Sequence, residues 1–248
     1  MDPFLIIIFI VSIIGTFYGT IVGGAAILVV PVLIISGLPP QVAVATTKLN
    51  ALGLTTSGIY TYNKGEKVNY KIGITLAIPM TIGSVIGSYI LLATPDNILK
   101  FVIIGIMAVI ILFTLLHRKL GIENRKKSIT TLGWLTASIL SFFFGIYIGF
   151  FGGGVGTLLS FMLLAIFGQT FLESAGTRKV MALPAIIVSL VIFTMNGKIA
   201  WEPGIVLLAG SLIGSYLGAS YAMKKGDEWV RKVFIVISVV FVVEMILI

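Results

Sequence analysis

Two positively charged side chains within apolar segments are the residues of this chain best suited to chemistry. Lys48 follows the glycine pair Gly23-Gly24 at the same separation in sequence at which Arg178 follows Gly153-Gly154. A charged group inside a long apolar segment is costly, so it usually faces the protein interior or a water-filled cavity. We therefore predict that Lys48 and Arg178 bind a negatively charged solute. The alternatives are snorkelling to the membrane interface or pairing with a buried carboxylate, for which Glu173 is available to Arg178.

The glycine pairs are the second candidate feature. They would break a helix inside the bilayer and leave backbone N–H groups at the start of the next, shorter helix. Such a helix terminus attracts anions. We therefore predict that Gly23, Gly24, Gly153 and Gly154 offer backbone donors to the same solute. Close helix packing is the alternative, because glycine is common in membrane helices.

Polar side chains next to the two cations extend the predicted site. Thr47 and Asn50 flank Lys48, while Thr177 and Lys179 flank Arg178. Donors outnumber carboxylates here, which favours an anion over a metal cation, since a cation path should show Asp, Glu or carbonyl ligands. We place Thr47, Asn50 and Thr177 in the binding set. Each of them could instead bond a neighbouring helix.

The composition argues against enzymatic and metal chemistry. The chain has no cysteine, and its single histidine, His117, lies in a polar stretch. Neither a thiol nucleophile, a Ser-His-Asp arrangement nor a histidine-ligated metal centre can be assembled from these residues. We predict no enzymatic activity, no cofactor and no metal site.

An internal duplication organises the chain. When Gly15 is placed on Gly145, Gly19 falls on Gly149, Gly23-Gly24 falls on Gly153-Gly154, and Lys48 aligns with Arg178. The segment 83–89 matches 210–216 at a slightly shorter offset, so the repeat continues after a small deletion. The repeated pattern is typical of transporters built from two similar halves.

Hydropathy predicts an all-α polytopic membrane protein. The chain is 58% apolar and 10% charged, with a mean hydropathy of +1.14. Breaks at Gly, Pro and charge clusters give five elements per half, at about 4–21, 25–36, 41–62, 71–93 and 97–117, then 129–149, 154–167, 171–195, 202–222 and 230–248. The second element of each half is short, so the first two could form a bent hairpin rather than two full spans.

The basic residues predict the topology. The net charge of +8 is concentrated in short connections, so it indicates membrane orientation rather than nucleic-acid binding. An odd number of crossings per half places these connections on one face. The halves are then inverted repeats, 1–117 and 129–248, joined by a basic cytoplasmic linker, 118–128, with both termini outside.

The motifs are those of a known family. The chain carries Gly15-x-x-x-Gly19-x-x-x-Gly23-Gly24 and a matching Gly145–Gly154 segment, followed by Ala45-Thr46-Thr47-Lys48-Leu49 and Ala175-Gly176-Thr177-Arg178-Lys179. It resembles the TauE/SafE (TSUP) sulfite exporter family over essentially its full length. This resemblance implies inverted repeats that move sulfite, thiosulfate or an organosulfonate such as sulfoacetate across a prokaryotic inner membrane. The first half departs from the second in lacking the extra glycines of 152–156.

Residues and resemblance together predict an anion permease that works by alternating access. Its expected partners are a small anion and the lipid bilayer, with no nucleic acid. A cation or metal permease is one rival, and a non-transporting intramembrane enzyme or assembly subunit is the other. The exact anion, the direction of transport, the coupling ion and whether the chain forms a homo-oligomer stay open at this point.

Overall fold

Long helices make up the computed structural model over the residues that it describes, which are 3–99, 101, 105, 130–230 and 232–233. In chain order the helices are α1 Pro3–Ile21, α2 Ala25–Ile35, α3 Pro40–Lys64, α4 Tyr70–Ala93, α5 Thr131–Phe150, α6 Val155–Phe167, α7 Phe171–Met195 and α8 Trp201–Lys225. These bounds agree closely with the predicted elements. The predicted elements 97–117 and 230–248 lie mostly outside the described residues, and the linker 118–128 lies wholly outside them.

Helix lengths separate spanning from short elements. Five of the described helices, α1, α4, α5, α7 and α8, are long and apolar enough to cross a membrane. The helices α2 and α6 have only 11 and 13 residues. At about 1.5 Å per residue they fall well short of the roughly 30 Å hydrocarbon core. The prediction of short helices after the glycine breaks is therefore confirmed.

The distribution of polarity is that of a protein whose surroundings are lipid. Large apolar side chains point outward from α4, α5 and α8, among them Ile78, Phe143 and Ile205. Serine and threonine hydroxyls are instead buried between the helices, as at Ser12 and Thr46. An apolar exterior with polar side chains kept between the helices suits a chain dissolved in a bilayer. The all-α polytopic membrane fold predicted from hydropathy is confirmed.

Helices of the two halves pack in equivalent pairs. The fourth helix of each half lies against the first helix of the other, so α4 packs on α5 and α8 packs on α1. In the middle, α3 contacts α7 and α8, while α7 contacts α3 and α4. The contact pattern is unchanged when the halves are exchanged, as expected for a duplicated chain.

Glycines allow α4 and α5, and likewise α1 and α8, to pack with their backbones close together. A Cβ built on Gly149 would lie 2.7 Å from the backbone nitrogen of Ser88, and one on Gly210 would lie 2.9 Å from the carbonyl oxygen of Phe9. Gly83, Gly87, Gly145, Gly214 and Gly218 make similar backbone approaches. The spacing Gly83-x-x-x-Gly87 on α4 and Gly210-x-x-x-Gly214 on α8 puts these small residues on one helix face, where they allow close backbone approach.

Two hydrogen bonds to threonine hydroxyls show how α3 and α7 run relative to each other. The Thr177 hydroxyl accepts a hydrogen bond from the Asn69 backbone, 3.1 Å, which brings the start of α7 to the connection after α3. The Thr46 hydroxyl accepts from the Ala200 backbone, 3.0 Å, which brings the start of α3 to the connection after α7. These equivalent helices therefore run in opposite directions, as an inverted repeat requires. How the two halves lie relative to the bilayer stays a prediction.

Candidate functional site

Both glycine breaks contain two glycines in a left-handed conformation, consecutive in the first break and separated by Gly153 in the second. Between α1 and α2, Gly23 and Gly24 have φ of +105° and +93°. Between α5 and α6, Gly152 and Gly154 have φ of +82° and +78°. Side chains other than glycine rarely adopt this left-handed conformation, so glycine lets the chain turn sharply from a long helix into a short one. The predicted helix breaks are confirmed at both positions.

The two breaks also lie against each other. A Cβ on Gly23 would come within 2.7 Å of the Thr157 backbone nitrogen and 3.0 Å of the Gly156 Cα. The Thr157 hydroxyl donates to the carbonyl oxygen of Val22, 3.0 Å away. The irregular backbone of the first break is thus packed directly on the first turn of α6, the short helix that follows the second break.

Lys48 binds the end of a helix from the other half. Its side chain is only 3% exposed, and its Nζ donates to the carbonyl oxygens of Ile148, 2.6 Å, and Phe151, 3.2 Å. The last carbonyls of a helix have no partner within that helix, and they form the negative end of its dipole. The lysine therefore satisfies carbonyls of α5 at the point where that helix breaks.

Arg178 does the same for α1. It is 3% exposed, its Nη1 donates to Val22 O at 3.0 Å, and its Nη2 donates to the carbonyl oxygens of Thr20 and Ile21, each at 3.0 Å. Burial excludes snorkelling for Lys48 and Arg178. Glu173 is not the partner of Arg178, because its carboxylate closes a capping box with Thr170 at the start of α7.

A third cation, Lys179, lies beside Arg178. It is 3% exposed, and its Nζ donates to Thr20 O at 2.9 Å and to Ala175 O at 3.2 Å. Its ammonium also lies 4.9 Å from the centre of the Tyr62 ring. Sequence reasoning noted Lys179 as a neighbouring donor but left it out of the binding set, although two successive cations in an apolar helix are an unusual signal.

These cations border a cavity between the two breaks. Its volume is about 110 Å³, enough for several water molecules or one small anion. Lys48, Arg178 and Lys179 line it together with the predicted Thr47, Asn50, Gly23 and Gly24, and none of the described residues that line it is a carboxylate. Apolar side chains complete the wall, including Leu54, Leu159 and Ile186.

Three predicted residues do not line this cavity. The Thr177 hydroxyl is taken up with the Asn69 backbone and with the Gln169 amide, which donates to it at 3.1 Å. The carbonyl of Gly153 accepts from the hydroxyl of Tyr147, and Gly154 is the residue that precedes α6. From the second break, Gly152 and Gly156 are the glycines that line the cavity.

Thr47 and Asn50 border the cavity, but their donors serve the helices. The Thr47 hydroxyl donates to Val44 O at 2.6 Å, and the Asn50 amide donates to the Ser12 hydroxyl at 2.7 Å. The Asn50 bond matches the alternative role of bonding a neighbouring helix, since it joins α3 to α1, whereas the Thr47 bond stays within α3. The cations rather than these two side chains dominate the electrostatics of the cavity.

The short helices contribute positive ends to the cavity. The caps of α2 and α6, Gly24 and Gly154, bring no side-chain hydrogen bond, and residues of both first turns line the cavity. A helix N-terminus carries roughly +0.5 charge and a C-terminus roughly −0.5. The partial charges at the N-termini of α2 and α6 and at the C-termini of α1 and α5 therefore nearly cancel here. The side-chain cations are left in excess, and the cavity is suited to a small anion.

No metal site is evident in the described ranges, where no group of three or more His, Asp and Glu residues could hold an ion. The cation-lined cavity would also repel a metal.

Comparison with known proteins places the chain in a family. The model of the family described as sulfite exporter TauE/SafE matches residues 7–245. A probable membrane transporter protein of Haemophilus influenzae is 31% identical over 242 residues, which are 98% of this chain and 94% of the relative. The probable membrane transporter protein YfcA of Escherichia coli is 28% identical, over 97% of this chain and 89% of the relative.

A more distant relative aligns over most of its length as well. The probable membrane transporter protein YdhB of Bacillus subtilis is 22% identical over 220 residues, with 88% of each chain covered. No solved structure matches the chain. Because the family model covers nearly all of the sequence, the chain belongs to the sulfite exporter TauE/SafE family.

Proposed function

We propose that this protein is a membrane permease for a small sulfur-containing anion, such as sulfite, thiosulfate or an organosulfonate. The observation that carries the proposal is the cavity that Lys48, Arg178 and Lys179 line, with no carboxylate from the described part of the chain. The family description names sulfite export, and the relatives are named as probable membrane transporters. The site and the family thus favour the same class of cargo.

The cations would bind the anion while they stay attached to the helix ends. An ammonium group has three N–H donors. Lys48 directs two hydrogen bonds to Ile148 and Phe151, within the part of the chain that the structure describes. This leaves a third donor for an oxygen of the anion. Because the cationic side chains are buried, each such charge-assisted bond is stronger than it would be at the surface.

We infer alternating access from the way the cations join the two halves. Lys48 on α3 holds the broken end of α5, and Arg178 on α7 holds the broken end of α1. A shift of one half against the other would change these contacts and the access to the cavity between them. An anion can bias such a shift only if it binds one arrangement more tightly, which the shared cations make feasible.

The carbonyl oxygens near the cavity argue against cation transport. Carbonyls are the usual ligands of a dehydrated cation, but those at the ends of α1 and α5 already accept hydrogen bonds from Arg178 and Lys48. A permeating cation would have to displace these side chains and then meet their charge. We therefore retain the anion as the cargo.

Flux into proteoliposomes tests the proposal. We expect uptake of ³⁵S-labelled sulfite. Excess thiosulfate or sulfonate should reduce this uptake, and a change in Na⁺ or K⁺ concentration at constant anion concentration should leave it unaltered. Lys48→Met and Arg178→Met should lower the flux at least about tenfold, the effect of losing about 1.4 kcal/mol of binding. Lys64→Met removes an exposed cation from the end of α3 and serves as the control.

Folding must be separated from transport in these variants. Lys48→Arg and Arg178→Lys keep both the charge and the capacity to bond the helix ends, and we expect them to retain more flux than the methionine variants. Unchanged sulfite uptake in a folded Lys48→Met protein would contradict the assignment. Uptake of a cation in the absence of any anion effect would refute anion transport altogether.

A further inference from the structure

The two halves differ at one charged position inside the cavity. In the alignment of the halves that places Lys48 on Arg178, Lys179 falls on Leu49. Lys179 lines the cavity, whereas Leu49 belongs to an apolar cluster and does not line it. Among the described residues, the second half therefore supplies two cations to the cavity and the first half supplies one.

The surroundings of Lys179 are built to admit its side chain. A Cβ on Gly58 of α3 would lie 2.5 Å from the Lys179 Cδ, so the absence of a side chain at Gly58 leaves room for the lysine. Thr20 O and Ala175 O accept two of its three N–H bonds, among the residues that the structure describes. These two bonds leave one N–H of the ammonium unused, and Lys179 is one of the residues that line the cavity.

The position of this charge is costly without a ligand. Lys179 follows Arg178 directly, and both are 3% exposed, so two like charges are buried side by side. Thr20 O accepts from both of them, and a neutral donor could make the same bonds to Thr20 and Ala175 at lower cost. The extra charge therefore has a use that hydrogen bonding to the helices does not explain.

The cations also approach the cavity from different sides. Lys48 Nζ would lie 3.7 Å from a Cβ on Gly152, and Arg178 Nη1 would lie 2.8 Å from a Cβ on Gly156. The segment from Gly152 to Gly156 thus runs from one cation to the next. A small ligand beside this segment can be contacted by positive charge at both ends.

Resting on the function proposed above, we propose that Lys179 makes the site selective for a dianion over a monoanion of the same shape. The electrostatic energy between a cation and a ligand is proportional to the ligand charge, so loss of one cation weakens dianion binding twice as much. The substrate class is then a small oxyanion with two negative charges, held between Lys48 on one side and Arg178 with Lys179 on the other.

A pair of probes that differ in charge but hardly in shape tests this selectivity. Sulfate is a tetrahedral dianion, and methanesulfonate replaces one of its charged oxygens by a methyl group. We would measure the affinity of the purified full chain for each by calorimetry, with sulfite as the check on anion binding. The variants are Lys179→Leu, which installs the residue of the first half, and Lys179→Gln, which removes the charge but keeps a donor. Lys64→Leu is the control.

We expect wild type to bind sulfate at least about tenfold more tightly than methanesulfonate, and both Lys179 variants to lower that ratio about tenfold or more. The Gln variant keeps the test decisive if the Leu variant does not fold. Equal wild-type affinities, or an unchanged ratio in the variants, would overturn the selectivity and leave the anion permease standing. Failure of sulfate, methanesulfonate and sulfite alike to bind would overturn both proposals.

Discussion

At the scale of single residues, Lys48 and Arg178 each stabilise a helix end and supply charge to a cavity. The sequence predicted their depth in the membrane and their spacing from the glycine breaks. It did not predict that they bond carbonyls, because Lys48 and Ile148 are far apart in sequence and meet only when the halves pack. The prediction that Thr177 lines the site failed for the same reason. Its neighbours along the chain do not show that its hydroxyl faces the Asn69 backbone rather than the cavity.

Lys48→Met should lower stability as well as flux. The substitution leaves the carbonyls of Ile148 and Phe151 without their donor in a buried setting, which costs about 1–3 kcal/mol for each unsatisfied group. We expect a lower midpoint of thermal unfolding in detergent, with Lys48→Arg closer to wild type. A Lys48→Met protein with an unchanged midpoint would show that these bonds contribute nothing net to folding.

Gly23→Ala tests the contact between the two breaks. The new Cβ would meet the Thr157 backbone at 2.7 Å, in addition to the strain of placing alanine at a φ of +105°. Gly37 is a matched control, because it has a φ of +98° and nothing within 4 Å of its Cβ position.

The two alanine variants should therefore differ in stability. Backbone strain alone costs about 1–2 kcal/mol, which we expect for Gly37→Ala. Gly23→Ala should lose clearly more than that and should also lose sulfite flux. Comparable thermal midpoints for the two variants would mean that the breaks are not packed against each other.

At the scale of helices, local signals were sufficient to predict the bounds of α1 to α8. Apolar runs, glycines and charge clusters mark the ends of each helix within the sequence itself. The pairing of α4 with α5 and of α8 with α1 depends on contacts between distant segments, so periodicity could not supply it. The small-residue faces on α4 and α8 indicated that close partners exist, but not which helices they are.

Equivalent glycines in α1 and α5 should respond differently to alanine. A Cβ on Gly145 would lie 2.7 Å from the carbonyl carbon of Met80 and closer still to its oxygen, so α4 and α5 would have to separate. At the matching Gly15 the nearest atom is 3.5 Å away, an ordinary contact.

Gly145→Ala should therefore unfold at lower temperature than wild type. Gly15→Ala should be unchanged or more stable, because alanine is favoured over glycine in a helix by about 1 kcal/mol. Unfolding curves of the two purified variants provide the comparison. Equal effects of the two substitutions would argue against the tight α4–α5 contact.

At the scale of the whole molecule, the helices of the two halves make equivalent contacts, but the two halves contribute different charge to the cavity. A duplicated fold gives two equivalent breaks and two equivalent cations. The second half has Lys179 where the first half has Leu49, so the positive charge around the cavity is distributed asymmetrically. Sequence alignment of the halves shows the difference, and the structure shows that it falls inside the cavity.

The predicted topology can be checked because the chain has no cysteine of its own. We propose that the loop at Glu66 and the linker at Arg125 are cytoplasmic, and that the connection at Lys198 is outside. In intact spheroplasts a membrane-impermeant maleimide should label Lys198→Cys, and it should label Glu66→Cys and Arg125→Cys only after permeabilisation. Labelling of all three from outside would refute the inverted arrangement of the halves in the membrane.

Anomalous diffraction from crystals soaked in selenate tests the central claim most directly, because selenium marks the position of a sulfur oxyanion analogue. We predict a selenium peak in the cavity, with oxygens within about 3 Å of nitrogen atoms from at least two of Lys48, Arg178 and Lys179. The peak should vanish in the Arg178→Met protein. A cavity without the peak, or selenium found only at the protein surface, would contradict the account.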